Sequence, residues 1–170
     1  MRHYEVRPVQ ESDADAVASV HALSSHAAYE KVADAAQQLP MEKRRAFWRD
    51  AIEYGEPLVH VAMHEGRVVG FVGYDRSRDP KSKPTCGEIW ALYVSPDHWD
   101  QGAGLALWDA AREGLAEEGC VEATIWIPLC NDRALRFAEL AGFKREMGTA
   151  KTVTLSGVKL EEIRLRRALG

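Results

Sequence analysis

The chain has 170 residues, 46% of them hydrophobic and 28% charged, with a net charge of −4. That length and balance suit one globular domain spanning 1–170 with a proper core. The acidic sum argues against nucleic acid as the main ligand, because duplex binders carry a basic face, and no apolar run approaches a membrane span.

Lys43, Arg44 and Arg45, and further on Arg164, Arg166 and Arg167, read as solvated charged faces. Cys86, Cys120 and Cys130 are widely spaced, odd in number and without a CxxC pair, so neither a metal site nor a disulfide framework is expected. The opening MRHYEVRPVQ lacks an apolar signal region, which makes a cytoplasmic location the expectation.

In chain order, HYEVRPV reads as a first strand. SDADAVASVHALSSHAAY follows as a helix, with Ser12 and Asp15 as a capping box and Val17, Val20, His21 and Leu23/Ser24 as its apolar stripe. PMEKRRAFWRDAIEYG is a second helix between Pro40 and Gly55, with Phe47, Trp48 and Ile52 inward. Two β-branched runs then flank Glu65-Gly66, a tight hairpin signal. RSRDPKSKPT is an exposed loop, and CGEIWALYVS a central fourth strand. A helix over 102–118, a fifth strand EATIWIPL, and a short helix NDRALRFAELAG capped by Asn131 and stopped by Gly142 come next. FKREMG and VKLEEIRLRRAL close the chain as strands. The order predicts a mixed, mostly antiparallel α/β sheet of about seven strands with helices on both faces.

The stretch Asp100-Gln-Gly-Ala-Gly-Leu lies between a buried strand and a helix. Glycine permits close backbone approach and positive φ. A helix start offers free N–H groups and partial positive charge, which together make an anion site without a side-chain cation. No lysine follows, so this is not a P-loop, and Leu107 stands where a dinucleotide fingerprint needs its third glycine.

With its neighbours, this loop resembles the GNAT superfamily of N-acetyltransferases. EIWALYVSPDHW is similar to the family's fourth strand, WDQGAGLAL to its pyrophosphate loop, ATIWIPLCN to its fifth strand, and NDRALRFAELAGF to its last helix. RPVQESDADAVASV resembles its opening strand and helix. The resemblance implies the acyl-CoA N-acyltransferase fold, with strands 4 and 5 splayed, acetyl-CoA as cosubstrate and no metal. It implies that Trp99, Asp100, Gln101, Gly102, Ala103, Gly104 and Leu105 hold the pyrophosphate. Leu92, Tyr93 and Val94 would line the pantetheine arm, with Asn131 and Arg133 contacting the cosubstrate from the last helix.

Two positions depart from the family's pattern. Trp99 occupies the loop's first position where Arg or Gln is usual, although a frame starting at Gln101 also fits. Ala138 stands where the family commonly carries the tyrosine that protonates the leaving thiolate. A thiol near pKa 8.5 leaves tolerably without help, while general-acid assistance is worth about 10²–10⁴-fold.

Glu88 is the candidate base, expected to share a strand face with Trp90 and Leu92 and to act through water. Tyr93 should point oppositely, as a packed aromatic. Cys130 is a candidate acid or reactive thiol, against the inert packing usual for buried cysteine. His98 reads as solvent-exposed. Trp48, Trp90, Trp108 and Trp126 read as core, with Trp90 and Trp126 also able to wall an acceptor pocket.

The family's acceptor pocket is formed largely by its first two helices and their connection, here HALSSHAAYEKVADAAQQLP, whose His26, Tyr29 and Glu30 are the candidates. The expected acceptor is a small-molecule primary amine, attacked directly in a ternary complex. A protein N-terminus or lysine, or acyl-CoA binding without catalysis by a sensor or partner subunit, are the alternatives. VKLEEIRLRRAL could supply an edge strand for a homodimer.

Overall fold

The computed structural model describes residues 3–31, 39–155 and 157–170. Its elements are β1 (Glu5–Pro8), α1 (Ala14–Tyr29), α2 (Met41–Tyr54), β2 (Leu58–His64), β3 (Arg67–Arg76), β4 (Cys86–Val94) and α3 (Ala103–Glu117), then β5 (Glu122–Pro128), α4 (Asp132–Leu140), β6 (Lys144–Arg145), β7 (Lys151–Leu155) and β8 (Val158–Ala168). The sheet runs β1-β2-β3-β4-β5-β8-β6, and β7 also pairs with β8. Among these pairings, β4 with β5 is parallel and the rest are antiparallel. A parallel pair needs a crossover, and α3 supplies it.

Two cores flank the sheet, so the helices lie on both faces as expected. Leu107, Trp108, Ala111 and Leu115 of α3 and Leu135 and Ala138 of α4 pack with Ile89, Leu92 and Val94. Val17, Ala18 and Val20 of α1 and Trp48 and Ala51 of α2 pack with Val61, Phe71 and Tyr93 on the other side.

The sheet has eight strands, one more than the sequence suggested. FKREMG yields only the two-residue β6, and β7 with β8 forms a hairpin in which Leu155 registers with Val158. The polar alternation of KTVTL gave little signal beside its neighbours. The capping box also moves. Asp13, not Ser12 with Asp15, accepts the backbone N–H of Gln10 (2.8 Å) and is clamped by Arg7 (2.7 Å), because a 3-10 turn at Glu11–Asp13 precedes α1.

Leu23 and Phe47 are exposed, leaving Ser24 and Trp48 to face the core. Arg44 is buried, not solvated, and donates to the Leu39 carbonyl (3.3 Å) and to the Ser25 hydroxyl (3.4 Å). Arg164 and Arg166 are half-buried in ion pairs with Asp79, Glu122 and Glu146. Among the described residues no helix is long and apolar enough to cross a membrane.

Candidate active site

The site begins where two strands part. β4 and β5 pair from Cys86↔Glu122 to Ile89↔Ile125 and no further. Beyond that point Ala91–Val94 keeps its partner β3 on one side only, so its β5-facing edge is open to a ligand.

A bulge coincides with the parting. Tyr74 pairs with Ile89 and Gly73 with Ala91, which leaves Trp90 without a partner. An extra residue reverses the alternation beyond it. Ile89 therefore packs in the same core as Leu92 and Val94, while Ala91 and Tyr93 point into the other. The expected shared face of Glu88 and Leu92 is thus corrected: Glu88 lies opposite Ile89, on the face that Tyr93 occupies after the bulge.

At the open end stands α3. Gly102 caps it at φ +98°, and the first helical bond runs from the Ala106 N–H to the Gly102 carbonyl, so the amides of Ala103, Gly104 and Leu105 have no helical acceptor. Gly104 is needed for packing too. A Cβ there would lie 2.9 Å from the Phe137 ring of α4. Trp99 folds back before the loop and donates its Nε1–H to the Val94 carbonyl (2.7 Å). The window Gln101–Ala106 therefore coincides with the helix start.

A cleft of about 450 Å³ joins these features. Leu92, Tyr93, Val94, Ile125 and Ile127 form its apolar walls, Trp99, Asp100, Gly102, Gly104 and Leu105 its loop end, and Asn131, Arg133, Arg136 and Phe137 its α4 side. Ser24 and Ala28 of α1 close it. Of the residues expected around the cosubstrate, Gln101 and Ala103 are not on its wall. Gln101 donates from its side-chain amide to the Asp97 carbonyl (3.1 Å), and the Ala103 side chain is buried in the core, which leaves its backbone N–H to contribute. Arg133 pairs with Asp100 (2.7 Å) and stacks 4.3 Å from the Trp99 ring centre. His98 is not simply exposed; it lines the cleft and its Nδ1 bonds the Tyr4 hydroxyl (3.0 Å). Arg136 and Phe137 escaped the sequence reading because they look like ordinary helix-surface residues; only their i, i+3 and i, i+4 spacing from Arg133 marked them.

Asn131 caps α4, its Oδ1 accepting the Ala134 N–H (3.1 Å), and its Nδ2 donates to the Tyr29 hydroxyl (3.1 Å). Burial pushes the Tyr29 phenol well above its usual range. Ala138 is buried in the α3/α4 core and offers no proton. Cys130 is exposed beside Asn131. His26 is exposed and lies 3.7 Å from Glu30, on the outer side of α1. The 32–38 part of the expected acceptor segment lies outside the described residues.

On the α1/α2 side of β4, β5 and β8 the sheet is polar. Glu88 is fully buried and both oxygens are occupied: one accepts the Arg78 backbone N–H (2.9 Å), the other its guanidinium (2.7 Å). Asp79 accepts the Trp126 Nε1–H (3.0 Å) and Arg164 (3.1 Å). Trp90 and Trp126 are half-exposed, not core. Arg78 stacks on the first at 4.2 Å and Lys151 on the second at 4.0 Å.

The donor set fits acetyl-CoA. Free helix amides and Arg133 and Arg136 suit its phosphates, and the strand edge with Leu92, Ile125 and Ile127 suits a thin, largely apolar arm. The family model for the Acetyltransferase (GNAT) family matches residues 20–143, and the chain belongs to that family. It is similar to the mycothiol acetyltransferase of Acidimicrobium ferrooxidans, 31% identical over 49% of this chain and 26% of that protein. The chain thus matches about a quarter of the length of the mycothiol acetyltransferases. A second relative is the uncharacterized N-acetyltransferase YuaI of Bacillus subtilis, 26% identical over 94% of this chain and 90% of that one. In structure the chain resembles the paia N-acetyltransferase of Thermoplasma acidophilum in complex with coenzyme A, with a TM-score of 0.72 at 18% identity, covering 95% of this chain and 98% of that one.

Proposed function

We propose that the protein transfers the acetyl group of acetyl-CoA to a primary amine, directly and in a ternary complex. The observation that carries this is the single cleft joining the free amides of α3 to the parted edges of β4 and β5. Acetyl-CoA supplies an activated thioester. The chain's part is to hold it, orient it and manage two protons.

The amides of Ala103, Gly104 and Leu105 take the pyrophosphate, with Arg133 and Arg136 adding charge from α4. The free edge of Leu92–Val94 hydrogen-bonds the pantetheine amides as a third strand would. The thioester then lies at the parting, open to the polar face. An amine attacks its carbonyl carbon, the C–S bond breaks, and sulfur leaves as a thiolate.

The Tyr29 hydroxyl stabilises that thiolate. Asn131 donates to a lone pair of its oxygen, so the phenolic hydrogen points elsewhere and can donate. This donor compensates for Ala138. Glu88 in this reading is no base; with both oxygens held by Arg78 it anchors the β3–β4 loop.

A small-molecule acceptor is the preferred class, because the polar face beside the parting presents single half-exposed rings and carboxylates at the scale of one ammonium group. The experiment is a free-thiol release assay with acetyl-CoA across a panel of primary amines. The reading expects amine-dependent release. Tight acetyl-CoA binding without release on any amine would favour a binding-only protein, the alternative that Ala138 suggests.

A further inference from the structure

Three carboxylates, Asp79, Glu88 and Glu162, cluster on the polar face of β4, β5 and β8, and they differ in what they can still accept. Glu88 has both oxygens engaged by Arg78, and Asp79 receives Trp126 and Arg164. Glu162 is half-buried and, among the described residues, meets only the Lys151 ammonium, at 3.9 Å, too long for a good hydrogen bond. It pairs across the sheet with Pro128, three residues past Ile125, where β5 has left β4. Trp126 and Glu162 share one sheet face, since Trp126↔Arg164 and Pro128↔Glu162 keep the alternation.

We propose that Glu162 takes the proton from the incoming amine, and that Trp126 and Glu162 together form a seat for a primary ammonium. The proposal rests on the acetyl-transfer reading above. Lys151 already shows what the seat accepts: its ammonium lies 4.0 Å from the Trp126 ring centre and beside the Glu162 carboxylate. A cation over an aromatic face with a carboxylate alongside is held by ring quadrupole and charge together. Lys151 is half-exposed, so an acceptor can displace it.

The groups facing Glu162 are Lys151 from β7, Arg78 and Asp79 from the β3–β4 loop, Glu88 from β4, Arg164 two residues along its own strand, and Tyr29 from α1. Burial first, and then Asp79 and Glu88, push the Glu162 carboxyl above its usual range, while Lys151 and Arg78 oppose the rise. Such a carboxylate is a better base than a free one.

In the step, an ammonium N–H breaks and its proton passes to Glu162. The nitrogen lone pair forms the C–N bond, the C–S bond breaks, the nitrogen gives up its second proton to water, and the thiolate, hydrogen-bonded by the Tyr29 hydroxyl, takes a proton from solvent. Glu162 returns its proton to water. The net products are the amide, CoA thiol and one proton.

The test is the pH profile of kcat, at saturating acetyl-CoA, for wild type, Glu162→Gln, Lys151→Met and Glu88→Gln on the best amine of the panel. Glu162→Gln should lose about 10²–10⁴-fold at pH 7. It should recover as pH nears the amine's own pKa, about 10 for an alkylamine. Lys151→Met should move the acidic limb to higher pH and lower KM for the amine, and Glu88→Gln should retain the limb. Calorimetric acetyl-CoA affinity checks that each variant is folded. Wild-type kcat in Glu162→Gln at pH 7, or a loss equal at every pH, overturns the proposal while leaving acetyl transfer intact. No turnover by wild type on any amine overturns the transfer reading, and this proposal with it.

Discussion

Asn131 joins the end of β5 to the end of α1: its Nδ2 donates to the Tyr29 hydroxyl at 3.1 Å while its Oδ1 accepts the Ala134 N–H at 3.1 Å. The backbone N–H fixes which way the amide points, and that fixes Tyr29 as acceptor in this bond. No acceptor for the phenolic hydrogen is present among the described residues. Burial holds the phenol neutral. A cap residue on the cleft wall thereby holds the hydroxyl of a buried tyrosine.

If that hydrogen serves the leaving sulfur, Tyr29→Phe removes a bond to a charged group, worth about 1.5–3 kcal/mol, or roughly 10–100-fold in kcat. Acetyl-CoA affinity should barely change. Steady-state kinetics alongside calorimetry separates the two effects. Asn131→Ala should cost about 0.5–2 kcal/mol in stability as a lost cap, read by denaturant unfolding, and lower kcat as well.

Gly104 lets α3 meet α4. A Cβ would stand 2.9 Å from Phe137, whose ring cannot retreat without opening the cleft wall. Gly104→Val should therefore weaken acetyl-CoA binding by tenfold or more and lower the melting temperature by several degrees, consistent with an overpacking cost of about 1–3 kcal/mol. Thermal shifts with and without acetyl-CoA measure both.

Arg133 is held by Asp100 and Trp99, and Arg136 shares its side of the cleft. Replacing both by alanine should raise the Kd for acetyl-CoA and flatten its dependence on ionic strength, because screening then has less charge to act on. A calorimetric titration at low and high salt checks this.

His21 gives the fold a pH signature. Burial, with Arg44 nearby, lowers its pKa from 6.5 to about 3, and its Nδ1 accepts the Trp48 Nε1–H at 3.0 Å. Between these two values the unfolded chain binds a proton that the folded chain refuses. The His21 contribution is thus fully present above pH 6.5 and declines as pH falls toward 3. Melting temperature should drop through that window, and His21→Gln, which keeps an acceptor for Trp48, should flatten the drop.

Much of the fold was legible because it is written in periodicity and punctuation. Pro40 and Gly55 bound α2, Glu65-Gly66 turns the β2–β3 hairpin with positive φ at both residues, and Asn131 and Gly142 bound α4. The glycine loop was legible for the same reason. What stayed hidden depends on contacts distant in sequence. The bulge at Trp90 is invisible in CGEIWALYV, where an unbroken alternation puts Glu88 on the face of Leu92. Arg44 and the Arg164/Arg166 network read as surface because charge usually is; here Ser25, Leu39, Asp79, Glu122 and Glu146 compensate it. Tyr29 and Asn131 lie 102 residues apart, and only the fold places them together.

Transfer of an acetyl group from acetyl-CoA to an amine at the parting of β4 and β5 is the reaction proposed. Its most direct measurement is mass spectrometric detection of the acetylated amine together with thiol release, for wild type and Gly104→Val, across a panel of primary amines. Wild type should form one acetyl amide per thiol released, with both diminished together in the variant. Thiol release without any acetylated amine, or acetylation undiminished when Gly104 is filled, would contradict it.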